Sequence, residues 1–215
     1  MKLVLHSYWR SSASHRVRIG LGLKQLPYDY VAVNIVAGDQ FADDYRAKNP
    51  ISQVPTLEVT EDDGTRVALT QSLAILEYLD ERWPDPPLLP RDPYLRARAR
   101  ALAEIINAGI QPLQNLTTLK RIKALGGDDA AWLRPFLIHG LTAFAQIASE
   151  VAGTFCVGDA PTIADCCLVP QLLGARRFQV DLEPYERLLA IEARCLVLPA
   201  FADAIPHHQP DAVKS

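Results

Sequence analysis

The chain has 215 residues, of which 49% are hydrophobic and 22% charged, and its formal net charge is −3. This composition fits a well-filled core in one large or two small domains and argues against disorder. Lysine and arginine form no run that would follow a nucleic acid, no apolar stretch nears the ~20 residues that cross a bilayer, and residues 1–9 are too short for a signal peptide. We therefore expect a cytoplasmic protein with neither a nucleic-acid nor a membrane partner.

Strand and helix signals alternate over residues 1–83. The predicted strands span residues 2–7, 28–33, 56–60 and 66–70. Asp63-Gly64 between the last two strands is typical of a hairpin turn. Helices are predicted over 11–24 and 71–82, with a short one within 38–49. The order β-α-β-α-β-β-α predicts a thioredoxin-like α/β domain.

The helix predicted over residues 11–24 has an ambiguous period. Val17, Ile19 and Leu21 alternate with other residues as they would in a strand. A serine-rich start and a polar face formed by Arg16 and Arg18 favour a helix.

After a proline-rich linker over residues 84–89, the pattern is that of an all-helical domain over 90–215. Helices are predicted over 93–124 with a kink at 109–112, then over 128–152, 162–177, 183–195 and 199–204. Thr162 and Asp165 have the spacing of a capping box at one helix start. The tail from Pro206 is polar, and we expect it to be loose.

Four cysteines lie in apolar surroundings in the second half of the chain: Cys156, Cys166, Cys167 and Cys195. None is in a Cys-x-x-Cys pair or at the Cys/His spacing of a zinc site. We expect buried, reduced thiols and no metal site.

One candidate site is the loop Arg10-Ser11-Ser12-Ala13-Ser14-His15-Arg16 between the first strand and the first helix. A helix start carries unpaired N–H groups and the positive end of the macrodipole, which favour an anion. The serines either cap the helix or use their hydroxyls to stabilise a thiolate that belongs to a ligand, and the spacing favours neither.

Two further segments lead into elements of the same domain. Val54-Pro55 either opens a strand or forms a cis bond that turns the Val54 backbone toward a peptide-like ligand. Ser72, after Gln71, either caps the next helix or holds a ligand carboxylate at the helix start. In isolation, the simpler structural role is favoured for each.

Together these segments resemble zeta-class glutathione transferases of the maleylacetoacetate isomerase family. The resemblance runs from end to end and is carried by residues 11–19, 53–57, 71–75, 110–116, 157–159, 162–165, 168–171, 178–182 and 208–211. It implies the glutathione transferase fold, with a thioredoxin-like N-terminal domain and an all-α C-terminal domain. The chain departs from the family at Ala13, where a cysteine is usual. Ser14-His15-Arg16, and Arg176 beside Arg177, are similar to bacterial maleylpyruvate isomerases.

The resemblance also implies that glutathione is a cofactor, held by residues of both domains. Ser11 is assigned to face the glutathione sulfur, with Ser12 as the next candidate. The implied glutathione-binding residues are Ser11, Ser12, Ala13, Ser14, His15, Arg16, Gln40, Val54, Gln71, Ser72, Gln111, Asn115, Leu116 and Thr117. Arg10 and Arg176 are candidates for substrate carboxylates, because a planar guanidinium suits paired hydrogen bonds, and a solvated surface charge is the alternative for each. His15 is expected to support the helix start rather than to act as a base.

The implied reaction is cis–trans isomerisation of a maleylacetoacetate-type compound in aromatic amino acid catabolism. Adding a thiolate to the alkene makes its double bond single, rotation follows, and elimination returns the thiolate, so glutathione is regenerated. The alternatives are a maleylpyruvate isomerase, a transferase or dehalogenase of small α-halo acids, and a transferase-shaped binding module without catalysis. The family implies a homodimer.

Overall fold

A mixed sheet of four strands lies at the centre of the first part of the chain, in a computed structural model that describes residues 1–213. The strands are β1 (Lys2–Ser7), β2 (Asp29–Ala32), β3 (Thr56–Thr60) and β4 (Arg66–Thr70). Their order across the sheet is β2-β1-β3-β4. The pair β1–β2 is parallel, and the β1–β3 and β3–β4 pairs are antiparallel. This is the predicted thioredoxin-like arrangement.

Three helices accompany this sheet: α1 (Ser12–Leu23), α2 (Asp43–Arg46) and α3 (Ser72–Arg82). A 3-10 turn, Asp39–Phe41, precedes α2. Apolar side chains of α1, α3 and the sheet form one core of Leu3, Leu5, Val17, Leu21, Leu57, Val59, Ile75 and Leu79. The prediction of these helices is confirmed to within a residue or two at most boundaries.

Helix α1 differs from the prediction in its polar face. Its residues from Ser14 to Leu21 are all buried, so the helix is enclosed on every side. An enclosed helix needs no polar stripe, which explains the ambiguous period of its sequence. Arg16 and Arg18, expected on a polar face, are 0% and 2% exposed.

The second part of the chain is helical. It contains α4 (Pro93–Asn107), α5 (Leu116–Ala124), α6 (Asp129–Ala148), α7 (Ile163–Arg177) and α8 (Glu186–Leu196). The single kinked helix predicted over 93–124 is instead two helices separated by a 3-10 turn, Gln111–Gln114. Pro112 lies within that turn and has no N–H to continue an α-helix. The predicted capping box of Thr162 and Asp165 is confirmed at the start of α7.

The chain divides into two compact units, and the division differs from the predicted domains at the C-terminus. The second unit is Leu89–Val197, whereas Leu198 and the residues after it join Met1–Leu88 in the first unit. Helix α9 (Pro199–Ala202) explains the difference, because its Phe201 is fully buried. An ideal Cβ at Gly22 of α1 would lie 3.0 Å from the Cα of Ala200, so the close packing of α1 on α9 requires a glycine there.

The tail expected to be loose is ordered by hydrogen bonds as far as the structure describes it. Residues Pro206–His208 form a 3-10 turn. The buried Gln209 side chain donates from Nε2 to the carbonyl oxygens of Asp203 and Ile205, both at 2.9 Å. Satisfied polar groups of this kind let a segment rich in polar residues pack against the protein.

The four cysteines are buried, as expected. Within residues 1–213, no helix is long and apolar enough to cross a membrane.

Candidate active site

The connections that carry most of the predicted site residues leave the sheet at one edge. Ser7 pairs with Ala32, so the parallel strands β1 and β2 both end there. The register also pairs His6 with Thr56 and Thr56 with Thr70, so β3 begins and β4 ends at that edge. The fold therefore brings to one edge of the first unit the loop before α1, the turn holding Gln40, the segment at Val54 and the start of α3.

Ser11 is the N-cap of α1. Its Oγ accepts a hydrogen bond from the Ser14 backbone N–H at 3.2 Å, and its own N–H donates to the Tyr8 carbonyl oxygen at 2.9 Å. In the cap the hydroxyl accepts, so its proton can still be donated to another acceptor. Capping and thiolate stabilisation, which the spacing left open, are compatible in this residue.

The residues after Ser11 differ in how far solvent reaches them. Ser12 and Ala13, in the first turn of α1, are half-buried. Ser14 is fully buried, and its Oγ has no hydrogen-bond partner among the described residues. Ser14 therefore contributes its backbone to the cap, through the N–H bound by Ser11.

His15 is buried, and its Nε2 also has no hydrogen-bond partner among the described residues. Burial, and secondarily the charge of Arg18, hold the pKa of His15 well below its usual range. The imidazole is therefore uncharged at neutral pH.

Arg16 joins the starts of two helices. Its Nη1 donates to Ser72 Oγ at 3.1 Å, and both side chains are buried. Ser72 is the first residue of α3, and Gln71 before it has a φ of 69°. The left-handed region is costly for a residue with a Cβ, and such conformations cluster where a ligand or a tight turn requires them.

The peptide bond between Val54 and Pro55 is cis, so the role that the local sequence favoured, a proline that only opens a strand, is wrong. Two side chains that sequence reasoning missed, Tyr45 and Asn49, fasten the segment around it. Tyr45 Oη and Asn49 Nδ2 donate to the Gln53 carbonyl oxygen at 2.6 and 2.7 Å, and lie 2.9 and 3.0 Å from Thr56 Oγ1. Nothing in the local pattern of the polar stretch around Tyr45 and Asn49 indicates this role.

Gln40 lies in the 3-10 turn after β2 and is buried. Its Nε2 donates to the Ile35 carbonyl oxygen at 3.4 Å, whereas its Oε1 has no partner among the described residues.

Four of the predicted binding residues lie in the second unit. Gln111 Nε2 donates to Asn115 Oδ1 at 2.7 Å, which ties the 3-10 turn to the start of α5. Leu116 and Thr117 are the first two residues of α5.

The two arginines predicted to bind substrate have different surroundings. Arg10 is exposed, with its guanidinium carbon 5.3 Å from the centroid of the Trp9 ring. Arg176 forms a two-pronged ion pair with Glu192, whose Oε1 accepts from Nη1 at 2.6 Å while Oε2 accepts from Nη2. This contact raises the pKa of Arg176 and engages the face that would bind a substrate carboxylate.

Known proteins match both the first unit and nearly the whole chain. Residues 10–82 match the glutathione S-transferase N-terminal domain. A maleylacetoacetate isomerase of Dictyostelium discoideum is 43% identical, over 98% of this chain and 96% of that protein. The chain belongs to the maleylacetoacetate isomerase family of glutathione transferases.

Solved structures of members of this family superimpose closely on the chain. The maleylacetoacetate isomerase of Anaeromyxobacter dehalogenans, with glutathione bound in its active site, has a TM-score of 0.91 and 52% identity, covering 99% of this chain and 98% of that one. A bacterial zeta-class maleylpyruvate isomerase has a TM-score of 0.91 and 42% identity, covering 98% of this chain and 100% of that one. The similarity to this family therefore extends over nearly the whole chain. Its members are named for two different substrates, maleylacetoacetate and maleylpyruvate.

Proposed function

We propose that this protein is a glutathione-dependent cis–trans isomerase of maleylacetoacetate-type substrates. The observation that carries the proposal is the serine cap of α1, at the sheet edge where the Val54 segment and the start of α3 also lie. Relatives that match nearly the whole chain bear the name of this isomerisation.

The residues at this edge fit glutathione, a tripeptide with a carboxylate at each end and a central thiol. The start of α3, with Gln71 and Ser72, suits a carboxylate because unpaired N–H groups and the helix dipole favour negative charge. The Val54 backbone suits a peptide group. Gln40 Oε1 is a buried acceptor without a partner among the described residues, and a bound donor would satisfy it.

We propose the remaining contacts on the strength of the family resemblance. They are those of residues 12–16 in the first unit and of Gln111, Asn115, Leu116 and Thr117 in the second.

Bound glutathione supplies a thiolate that adds reversibly to the alkene and so permits rotation about the former double bond. The protein holds that sulfur ionised: the Ser11 hydroxyl donates toward it, and the start of α1 favours its charge. A free thiol has a pKa of ~8.5, so lowering that pKa by one unit raises the small thiolate fraction nearly tenfold at neutral pH.

The exposed guanidinium of Arg10, next to Ser11, binds a substrate carboxylate through paired hydrogen bonds. We give Arg176 a lesser part, because Glu192 already engages its guanidinium.

A second candidate is maleylpyruvate isomerisation, which two observations favour. Ala13 stands where maleylacetoacetate isomerases usually have a cysteine, and a maleylpyruvate isomerase superimposes on the chain as well as the maleylacetoacetate isomerase does. Both reactions would use the same thiolate.

We also propose that the chain forms a homodimer in the cytoplasm and acts in aromatic amino acid catabolism. The support for all three is the family's usual behaviour.

The proposal is tested by turnover of maleylacetoacetate, maleylpyruvate and dichloroacetate with glutathione present, for the wild type and Ser11→Ala. We expect turnover of a maleyl compound, and Ser11→Ala should lower kcat by about 10- to 1000-fold, as loss of one anion-stabilising donor does. Ser149→Ala, which removes an exposed hydroxyl in the second unit, is the matched control and should be unaffected.

Other outcomes change the assignment. Near-normal turnover by Ser11→Ala together with a loss in Ser12→Ala would transfer the role to Ser12. Turnover of dichloroacetate alone would indicate a dehalogenase. A wild type that binds no glutathione in calorimetry would contradict the proposal and leave a binding module.

A further inference from the structure

A buried arginine of α1 binds the loop between β1 and α1. Arg18 Nη2 donates to the Trp9 carbonyl oxygen at 3.2 Å, and its Nη1 donates to Ser7 Oγ at 3.2 Å and to the Tyr8 carbonyl oxygen at 3.5 Å. Its Nε donates to the carbonyl oxygen of Ala204, which follows α9. One guanidinium thus joins the loop to the C-terminal segment.

A carboxylate from the C-terminal segment binds the same loop. Asp211 Oδ2 accepts the Trp9 backbone N–H at 3.0 Å, and Asp211 Oδ1 accepts the Tyr30 hydroxyl at 2.6 Å. The Trp9 ring also packs on the ring of His207, with 5.6 Å between centroids. The bond between Trp9 and Asp211 joins residues 202 positions apart in the chain.

The negative charge of Asp211 favours the charged form of the buried Arg18 guanidinium. Burial lowers the pKa of Arg18 to about 10, and the charge of Asp211 is among those that oppose the shift. Arg18 is therefore still charged at neutral pH. A buried charge is tolerated when it is well hydrogen-bonded, and here the guanidinium donates to four oxygen acceptors.

These bonds determine the position of the residues to which chemistry is assigned. Both backbone polar groups of Trp9 are bound, the N–H by Asp211 and the carbonyl oxygen by Arg18. The Tyr8 carbonyl oxygen accepts the Ser11 N–H at 2.9 Å. The backbone that leads into Arg10 and Ser11 is therefore held in place by hydrogen bonds from Asp211 and Arg18 to Trp9.

We propose that Asp211 is a positioning residue for the isomerisation: by binding the Trp9 N–H and Tyr30 it holds Arg10 and Ser11 in their working geometry. This inference rests on the function proposed above for Ser11 and Arg10. It gives a role to the closing segment 208–211, which resembles the family but has no part in the predicted site.

The test compares four full-length variants: Asp211→Ala, Asp211→Asn, Tyr30→Phe and Asp203→Ala. Asp211→Ala removes both contacts. In Asp211→Asn the amide oxygen can still accept from Trp9, and the amide nitrogen can donate to a Tyr30 hydroxyl that turns to accept. Tyr30→Phe keeps the bond to Trp9 and loses the other. Asp203→Ala removes an exposed carboxylate of the same segment and is the matched control.

We expect the Trp9 amide to exchange with deuterium faster in Asp211→Ala than in the wild type. The kcat should fall by about 10- to 100-fold, as small displacements of catalytic groups can cause. The KM for glutathione should change little, because the tripeptide is held at the start of α3 as well. Asp211→Asn should regain most of the kcat, Tyr30→Phe should lie between, and Asp203→Ala should match the wild type.

The inference is wrong if Asp211→Ala exchanges and turns over like Asp203→Ala, or if Asp211→Asn is as impaired as Asp211→Ala. If Asp211→Ala does not fold, Tyr30→Phe decides: unchanged kcat in that variant would overturn the proposal. A wild type without glutathione-dependent turnover would refute the proposed function, whereas faster exchange of the Trp9 amide in Asp211→Ala would still show the fastening.

Discussion

At the scale of single residues, buried polar side chains organise the candidate site by what they accept and donate. Ser11 and Ser72 each accept one hydrogen bond, from a backbone N–H and from Arg16, and each keeps a proton for another acceptor. The buried guanidinium of Arg18 is satisfied by four oxygens. His15 differs from these residues, because its Nε2 has no partner among the described residues and burial lowers the pKa of its ring.

Because of His15, the folded state should lose stability in mild acid. The folded-state pKa is lowered, so below the ordinary value of ~6.5 the unfolded chain binds a proton that the folded chain does not. The free energy of unfolding should therefore fall with pH below about 6.5, by at most ~1.4 kcal/mol per pH unit from this residue. Urea unfolding across this range should show a shallower fall in His15→Phe than in the wild type. His139→Asn, at an exposed site, should keep the wild-type slope, and equal slopes in all three would contradict the assignment.

At the scale of elements, helix starts fix much of the local structure. Helix α7 begins at a buried capping box in which Asp165 accepts from the Thr162 N–H at 2.8 Å and from the Thr162 hydroxyl at 2.9 Å. The same carboxylate accepts the Cys156 N–H at 2.8 Å, so it also closes the loop before the helix. Burial raises the pKa of Asp165, and these hydrogen bonds oppose that shift.

Removing this carboxylate should destabilise the protein strongly. Asp165→Ala leaves the buried N–H groups of Thr162 and Cys156 without their acceptor, which we expect to cost about 2 to 4 kcal/mol. The measurement is the free energy of unfolding from urea denaturation. Asp159→Ala is the control, since that exposed carboxylate also accepts a backbone N–H, from Thr154, and its loss should barely move the unfolding midpoint. Similar losses of unfolding free energy in the two variants would contradict the assignment of the large effect to the burial of Asp165.

At the scale of the whole molecule, the chain's last segment belongs to its first unit. Phe201 of α9 is fully buried, α9 packs on α1, and Arg18 binds the carbonyl oxygen of Ala204. The first unit is thus completed by residues that follow the helical unit in the sequence. Any change in this segment should act on the thioredoxin-like unit, despite its distance along the chain.

Phe201→Ala should show this dependence. The side chain is fully buried, so its loss leaves a cavity and should lower the free energy of unfolding by about 3 to 5 kcal/mol. Amide exchange should quicken in α1, where α9 packs. Leu196→Ala, at a site 40% exposed near the end of α8, is the control and should cost less than about 1 kcal/mol. Faster exchange confined to the helical unit would contradict the assignment of α9 to the first unit.

Local pattern predicted what local forces decide. Strands β1, β3 and β4 have the predicted bounds, because alternation and the Asp63-Gly64 turn act within a few residues. The N-caps at Ser11 and Thr162 follow for the same reason, since a cap is satisfied within its own first turn. The cap favoured at Ser72 is wrong, because Gln71 is the N-cap of α3 and no side chain caps this start; Ser72 Oγ accepts instead from Arg16, far away in the chain.

The tertiary structure alone decided the rest, because those features depend on partners far away in the chain. No pattern near Arg18 or Asp211 shows that they meet at Trp9, and none near Arg176 shows that Glu192 engages it. Burial of both arginines of α1 likewise depends on acceptors from other segments. A sequence read locally identifies the serine at the helix start; which distant side chains hold that serine's loop in place follows only from packing, since hydrogen bonds form wherever the folded chain brings a donor and an acceptor together.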